Sequence, residues 1–299
     1  MNYFGLILSV FLFSCHEKTP EKVWNNRVSD RGIPIHQFDP YSNLLNNRLE
    51  IEKSLKDKIK KGIPLVVHCF VPLCDNEHQG IVPTSASLGD GFSLTSNLYW
   101  ATSNGMKRFF KEHPKWRQLE EVDYQSTDTV LERQVFERHF ENDAQVILIC
   151  DAYRGDQMES CLNDYFHALA GFIEDSINYK NDYLDIGSEA DLMAFNGHNG
   201  LMDVYVDTVY ANRPTKKDAV VIACSSKDDF NPYFVATNSY PLINTTSLLY
   251  PGAFVLDGVI EKWALLSTDE VIRCAAGDAY NRVKKCGQKA ARNLFHTGW

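Results

Sequence analysis

One histidine and one cysteine follow short apolar runs in the second half of the chain, and together these residues could carry out acyl transfer. His198 comes shortly after the run LMAF, and Cys224 follows the run VVIA directly. A thiolate can attack a carbonyl carbon, and an imidazolium can protonate the amine that departs. The backbone N–H groups of Cys224 and of Asn199 or Gly200 would then stabilise the oxyanion. We therefore expect Cys224 and His198 to be the catalytic residues.

Each of the two residues also has a structural explanation when it is taken alone. A cysteine at the end of an apolar run is usually a packed thiol that behaves as a small hydrophobe. A histidine flanked by glycines is often a turn residue. The order of the two, on successive apolar runs, is the feature that favours a catalytic pair.

Further polar residues follow the apolar runs and are the candidates for substrate binding: Asp75, Asn76, Glu77, His78, Asp151, Arg154, Asp228 and Asp229. The loop that holds the first four contributes to substrate recognition or is simply solvated. Asp151 and Arg154 form a salt bridge or line a cleft. Asp228 and Asp229 would attract a basic side chain of the substrate, or they form a solvated surface turn.

A metal site is a separate hypothesis for the first of these loops. Cys74 and His78 have a Cys-x3-His spacing, which can chelate zinc. His68 and Cys69 are adjacent in a strand-like run and point to opposite faces, so at most one of them could join. Because a set of four ligands is missing, we expect neither a metal nor a cofactor, and a zinc hydrolase is kept only as a third hypothesis. The sequence has no Walker A or GxGxxG motif to support nucleotide binding.

The elements that must position these residues alternate between strands and helices. Continuous apolar runs predict buried strands over 64–73, 145–150, 192–195 and 219–224. Apolar residues at helical spacing predict helices over 47–61, 97–113, 158–173 and 248–265. A last helix is expected to open at Ser267, where Glu270 completes a capping box.

This alternation predicts the fold class and the location of the site. Strands with continuous hydrophobicity, separated by helices, indicate a mostly parallel sheet that is covered by helices on both faces. In such sheets the functional groups lie at the carboxyl ends of the strands. His198 and Cys224 both fit that position.

The two motifs resemble those of the caspase–gingipain–legumain superfamily of cysteine peptidases. In that superfamily an apolar strand ending in His-Gly is followed by an apolar strand ending in Ala-Cys, and the order of elements is similar over 64–263. The resemblance implies a caspase-like three-layer α/β sandwich, peptide substrates, His198 as general acid and base, and Cys224 as nucleophile. It also implies that the loop after the first strand helps to form the pocket for the residue before the scissile bond. This chain departs from the pattern because Asn199 follows the histidine and glycine comes one residue later.

The N-terminus resembles a bacterial lipoprotein signal. The apolar run 4–13 has the length of a signal-peptide core, and Ser14-Cys15 then resembles a lipobox. We expect a signal peptide over 1–15, a lipid on Cys15, a tether over 16–45 and a single domain over 46–299. The start of the chain has no Lys or Arg, and an ordinary cleaved signal peptide or a buried strand is the alternative.

Composition limits the remaining classes. The 299-residue chain has a formal net charge of −9, which argues against nucleic acid as a partner because phosphate binding needs a basic stripe. No apolar run reaches the roughly 18 residues of a membrane span. We therefore predict a lipid-anchored cysteine endopeptidase of the bacterial cell envelope, periplasmic or surface-exposed, attached to the membrane by its lipid only. The alternative is a non-catalytic surface lipoprotein of the same fold that binds a peptide, glycan or protein.

Overall fold

An eight-stranded sheet organises the chain in a computed structural model that describes residues 40–119, 124–213 and 216–299. The strands are β1 (Leu65–Pro72), β2 (Arg117–Gln118), β3 (Val130–His139), β4 (Gln145–Tyr153), β5 (Glu174–Tyr179), β6 (Asp182–Gly187), β7 (Leu192–Asn196), β8 (Asp218–Ile222), β9 (Tyr240–Thr245) and β10 (Phe295–His296). The order across the sheet is β10-β9-β8-β7-β1-β4-β3-β2, and β5 and β6 form a separate hairpin. The central strands β9, β8, β7, β1 and β4 are parallel, whereas β10, β3 and β2 are antiparallel to their neighbours.

Helices cover both faces of the sheet. The described residues form α1 (Pro40–Lys60), α2 (Met106–Glu112), α3 (Met158–Ala170), α4 (Ser226–Ala236), α5 (Ala253–Ala264), α6 (Asp269–Lys284) and α7 (Gln288–Asn293). Buried side chains of α3 and α4 pack with Val66 and Phe70 of β1 on one face. Those of α1, α2, α5 and α6 pack with Leu65, Val67 and Cys69 on the other face. The predicted three-layer α/β sandwich with a mostly parallel sheet is therefore confirmed.

Two of the predicted helices differ from the structure. Only Met106–Glu112 is helical within 97–113, because the buried Asn97 side chain bonds to the backbone of Cys74, Tyr99 and Asp90 and holds this segment in turns. The capping box at Ser267 does not form. The last long helix has Thr268 at its N-cap with no side-chain cap bond, and Glu270 pairs with Arg273 instead.

The N-terminal predictions lie mostly outside the described residues. The signal peptide over 1–15, Cys15 and most of the tether are not among them. Helix α1 begins at Pro40, within the expected tether, and one compact unit spans Ser42–Trp299. Every helix in the described ranges is too short or too polar to cross a membrane.

Candidate active site

His198 and Cys224 lie at the same level of the sheet edge. Strands β7 and β8 are parallel neighbours, and their last register pair is Asn196 with Ile222. His198 and Cys224 each come two residues after that pair. The segments that follow β7 and β8 also stay close together, because the Gly197 N–H donates a hydrogen bond to the Ile222 carbonyl at 3.2 Å. Since neighbouring strands are about 4.8 Å apart, the sheet brings the backbones of both residues to one edge.

The Cys224 thiol is partly buried. Its Sγ donates a hydrogen bond to the Leu249 carbonyl oxygen at 3.4 Å. Burial raises the pKa of the thiol, and a backbone contact with Leu249 reduces that shift. In the described part of the chain, no hydrogen bond joins the thiol to His198.

The chain turns sharply directly after Cys224. Ser225 has a left-handed backbone with φ of 46°, and α4 begins at the next residue. Cys224 therefore lies beside the N-terminus of an eleven-residue helix, where the aligned peptide dipoles favour negative charge. The backbone N–H groups of Cys224, Asn199 and Gly200 donate no hydrogen bond within the described residues.

His198 has a partner that the sequence does not reveal. Its Nε2 atom lies 2.6 Å from Oδ2 of Asp203, and only 8% of its side chain is exposed. The same carboxylate oxygen accepts the Gly80 N–H at 2.8 Å. Asp203 follows the short 3₁₀ helix Gly200–Met202, and nothing in the local pattern marks that turn in advance.

Asn199 connects the histidine loop to the cysteine loop. Its Nδ2 atom donates to the Cys224 carbonyl oxygen at 2.8 Å and to Oδ2 of Asp229 at 2.7 Å. Burial raises the pKa of Asp229, and the bond from Asn199 offsets part of this. Glycine at this position would lack the side chain that makes both bonds.

The loop after β1 is held together by one of the predicted binding residues. Asp75 is buried, and its carboxylate accepts the backbone N–H groups of Glu77 and His78 and contacts Nδ1 of His78 at 3.0 Å. The Asn76 side chain bonds to the backbone of Thr84 at both of its polar atoms. Asp75 and Asn76 therefore shape the loop, while Glu77 and His78 are exposed at its surface.

Asp151 lies inside the sheet instead of in the loop that follows it. Strand β4 continues to Tyr153, and the buried Asp151 carboxylate bonds to Nε2 of His68 at 2.9 Å and to Arg133 through two bonds of 2.7 Å. Its strand is three positions from β8, about 14 Å away at the usual strand spacing. The structure therefore does not bring Asp151 to Cys224.

Arg154 bonds elsewhere, so the expected salt bridge with Asp151 does not form. Its guanidinium pairs with Asp156 at 2.6 Å and lies over the ring of Phe92, 4.9 Å from the centroid. Asp228 is exposed in the first turn of α4, whereas Asp229 turns toward Asn199. Of the acidic pair, only Asp229 contacts a residue of the site.

Cys74 and His78, the two residues of the zinc hypothesis, lie in different environments. Cys74 is buried, and burial raises its pKa to about 11, whereas His78 is bound to Asp75. Within the ranges that the structure describes, no three His, Cys, Asp or Glu side chains are grouped to hold a metal ion.

Compared with models of protein families and with curated proteins, the sequence gives no significant match. The function is therefore inferred from the geometry of the described residues.

Proposed function

We propose that this chain is a cysteine endopeptidase with a caspase-like domain, in which Cys224 is the nucleophile and His198 is the general acid and base. One observation carries this proposal. His198 and Cys224 each lie two residues beyond the Asn196–Ile222 pair, at the ends of neighbouring parallel strands. A catalytic pair needs the nucleophile and its base within reach of each other, and neighbouring strand ends bring two residues close together.

The free groups at this edge suit each step of acyl transfer. Because Nε2 of His198 is bound to Asp203, Nδ1 is the nitrogen left to accept the thiol proton. The sulfur then attacks the carbonyl carbon of the scissile peptide, and the oxyanion binds to the free N–H groups of Cys224 and of Asn199 or Gly200. The imidazolium gives its proton to the departing amine, which leaves a thioester on Cys224. Water then attacks the thioester with His198 as base, the C–S bond breaks to release the carboxylic acid product, and the proton held by His198 returns to the Cys224 sulfur.

The topology supports the caspase-like assignment at the level of element order. The histidine follows β7, the cysteine follows β8, and these strands are adjacent in the sheet. The hairpin β5–β6 precedes β7, and β10 closes the β8–β9 side as an antiparallel edge strand. This order agrees with the resemblance to the caspase–gingipain–legumain superfamily that the two motifs suggest.

The proposed location follows from the sequence alone. A lipid on Cys15 would anchor the protein to a membrane of the bacterial envelope, and the domain would meet peptide or protein substrates outside the cytoplasm. Among the predicted binding residues, Glu77, His78 and Asp228 are exposed and remain candidates for contact with substrate.

A second function is favoured by the state of the thiol. The bond from Cys224 to Leu249 and the raised pKa of the thiol are also what a non-catalytic cysteine would show. The protein would then bind a peptide, glycan or partner protein at the same edge without cleaving it.

Peptide cleavage distinguishes the two functions. The full-length protein in detergent is incubated with a peptide library, and new termini are identified by mass spectrometry. An endopeptidase produces new termini that are lost in Cys224→Ala and in His198→Ala but kept in Cys286→Ala, which removes an exposed thiol. A binding protein retains peptides and produces no new termini. Circular dichroism of each variant checks that the fold is intact.

A further inference from the structure

We infer that Asp203 is a positioning residue that fixes the orientation and tautomer of His198, and that Gly80, in the loop after β1, holds Asp203 in place. The inference rests on the proposed function. It adds a third member to the catalytic pair and brings the loop after β1 into the positioning of the histidine.

The contact between Asp203 and His198 is short and partly shielded from water. The distance from Nε2 to Oδ2 is 2.6 Å, and the exposed fractions of the two side chains are 8% and 26%. Hydrogen bonds to a charged acceptor are shorter and stronger than neutral ones. A single contact of this kind is sufficient to hold an imidazole ring in one orientation.

The chemistry of the acceptor sets the position of the ring proton. An ionised carboxylate can only accept hydrogen bonds, so Nε2 must carry the proton when it faces Asp203. In the neutral ring, Nδ1 is then unprotonated and has a lone pair for the thiol proton. The opposite tautomer would place a proton on Nδ1 and leave that nitrogen unable to act as base.

Asp203 is held by backbone contacts within its own turn and from the loop after β1. Its own N–H donates to the Gly200 carbonyl at 2.9 Å, and its Oδ2 atom accepts the Gly80 N–H at 2.8 Å. A Cβ atom on Gly80 would lie 2.4 Å from Oδ1 of Asp203, closer than any real contact allows. Glycine at position 80 therefore permits the approach that places the carboxylate.

A second carboxylate at this edge, that of Asp229, lies on the cysteine side of the site. Asp229 bonds to the Asn199 side chain, which in turn holds the Cys224 carbonyl. Asp203 thus contacts the histidine, whereas Asp229 contacts the Asn199 side chain that bonds to the cysteine loop. The role of Asp203 can therefore be tested without disturbing the cysteine side of the site.

The first measurement is the protonation of the His198 ring, read by ¹⁵N NMR of histidine-labelled full-length protein. We expect the neutral ring to carry its proton on Nε2 in the wild type and in Asp143→Asn, which removes an exposed carboxylate at the opposite edge of the sheet. We expect a mixture of tautomers in Asp203→Ala and in Gly80→Ala. A proton on Nδ1 in the wild type, or an unchanged spectrum in Asp203→Ala, would overturn the inference.

The second measurement separates positioning from a structural role. Asp203→Asn keeps the shape of the side chain, and we expect it to lower kcat by about 10²- to 10⁴-fold, the range seen when the residue that orients a catalytic histidine is neutralised, with KM nearly unchanged. Asp203→Glu, which restores the charge, should recover part of kcat. Equal kcat in Asp203→Asn and wild type would contradict the inference. If the wild type cleaves no peptide, the proposed function fails, and the NMR result alone decides the role of Asp203.

Discussion

The Cys224 thiol and the Leu249 backbone carbonyl form a hydrogen bond of 3.4 Å. The neighbouring segment is tied to the same turn, because the Ser225 N–H donates to the Ser247 carbonyl at 3.0 Å. The chain after β9 therefore lies along Cys224. In the absence of a substrate, it gives the sulfur an acceptor other than the imidazole.

This arrangement predicts how fast Cys224 reacts with alkylating reagents. Burial raises the pKa of the thiol above its ordinary value, so the reactive thiolate should form only in the alkaline range. Labelling by iodoacetamide, mapped by mass spectrometry between pH 5 and 10, should be slow at pH 7 and increase steeply above pH 9. The exposed Cys286 reports the accessibility of the reagent. Rapid labelling of Cys224 at pH 6 in the resting protein would rule out the Leu249-bound thiol as the dominant state.

Asp151 should stabilise the fold in a pH-dependent way. Burial alone would raise the pKa of this carboxyl group, but Arg133 and His68 outweigh burial and lower the pKa from 3.8 to about 2. A depressed pKa stabilises the folded state above the unfolded-state value, and this contribution is lost as the pH falls from about 4 through about 2. The shift corresponds to about 2 kcal/mol.

The test for Asp151 is the free energy of unfolding in denaturant at several pH values. At pH 7, Asp151→Asn should destabilise the protein by about 1–3 kcal/mol, because the buried Arg133 loses the charged partner of two bonds and keeps its bond to Asp175. Below pH 4 the difference from wild type should narrow. The exposed Asp143 provides the control, since Asp143→Asn should change stability by less than about 0.5 kcal/mol. A difference that is independent of pH between 2 and 7 would contradict the assignment.

Asn199 should matter to both halves of the site. Asn199→Ala removes the bonds to the Cys224 carbonyl and to Asp229, and each bond from a buried group contributes about 1–3 kcal/mol when its partner is left unsatisfied. We expect a loss of stability of about 2–4 kcal/mol and a lower kcat. Asn199→Asp should be at least as harmful, because it places a second carboxylate beside Asp229. Wild-type stability in both variants would show that these bonds do not hold the loops together.

The fit of the glycine after Asn199 can be tested by a double-mutant cycle. A Cβ atom at Gly200 would lie 2.3 Å from Cγ of Met158, so Gly200→Ala should cost about 1–3 kcal/mol through overpacking. Met158→Ala removes the opposing side chain, and the cost of Gly200→Ala should nearly vanish in that background. The free energies of unfolding of the four proteins give the coupling. Additive effects would mean that Met158 does not limit this position.

The parts of the fold that follow from local patterns are predictable from the sequence. The runs that form β1, β7 and β8 are continuous and apolar, since these strands are buried on both faces. Strand β3 is not predicted from a continuous apolar run, because charged and polar residues interrupt its sequence. Helix α4 contains Pro232 and has weak apolar periodicity, so its pattern does not indicate a helix.

The errors at the site have a tertiary origin. The apolar run before Asp151 suggests that the strand ends at Cys150, but β3 supplies Arg133 and allows a charged residue inside the sheet. The contact between Asp203 and His198 could not be predicted from the sequence. It depends on a turn that brings Asp203 back to His198 and on the Gly80 N–H from a distant loop. The position of His198 and Cys224 at one edge of the sheet could be predicted because each comes shortly after its own apolar run, two residues past the end of β7 or β8.

The most direct test of the central claim is covalent capture of the nucleophile. The full-length protein is incubated at pH 7.5 with a library of peptides that end in an electrophilic ketone, and the modified residue is mapped by mass spectrometry. We expect a peptide adduct on Cys224 in the native protein, and no adduct on Cys224 in His198→Ala or after denaturation. Modification of Cys286 alone, or equal modification of Cys224 in wild type and His198→Ala, would contradict catalysis by this pair.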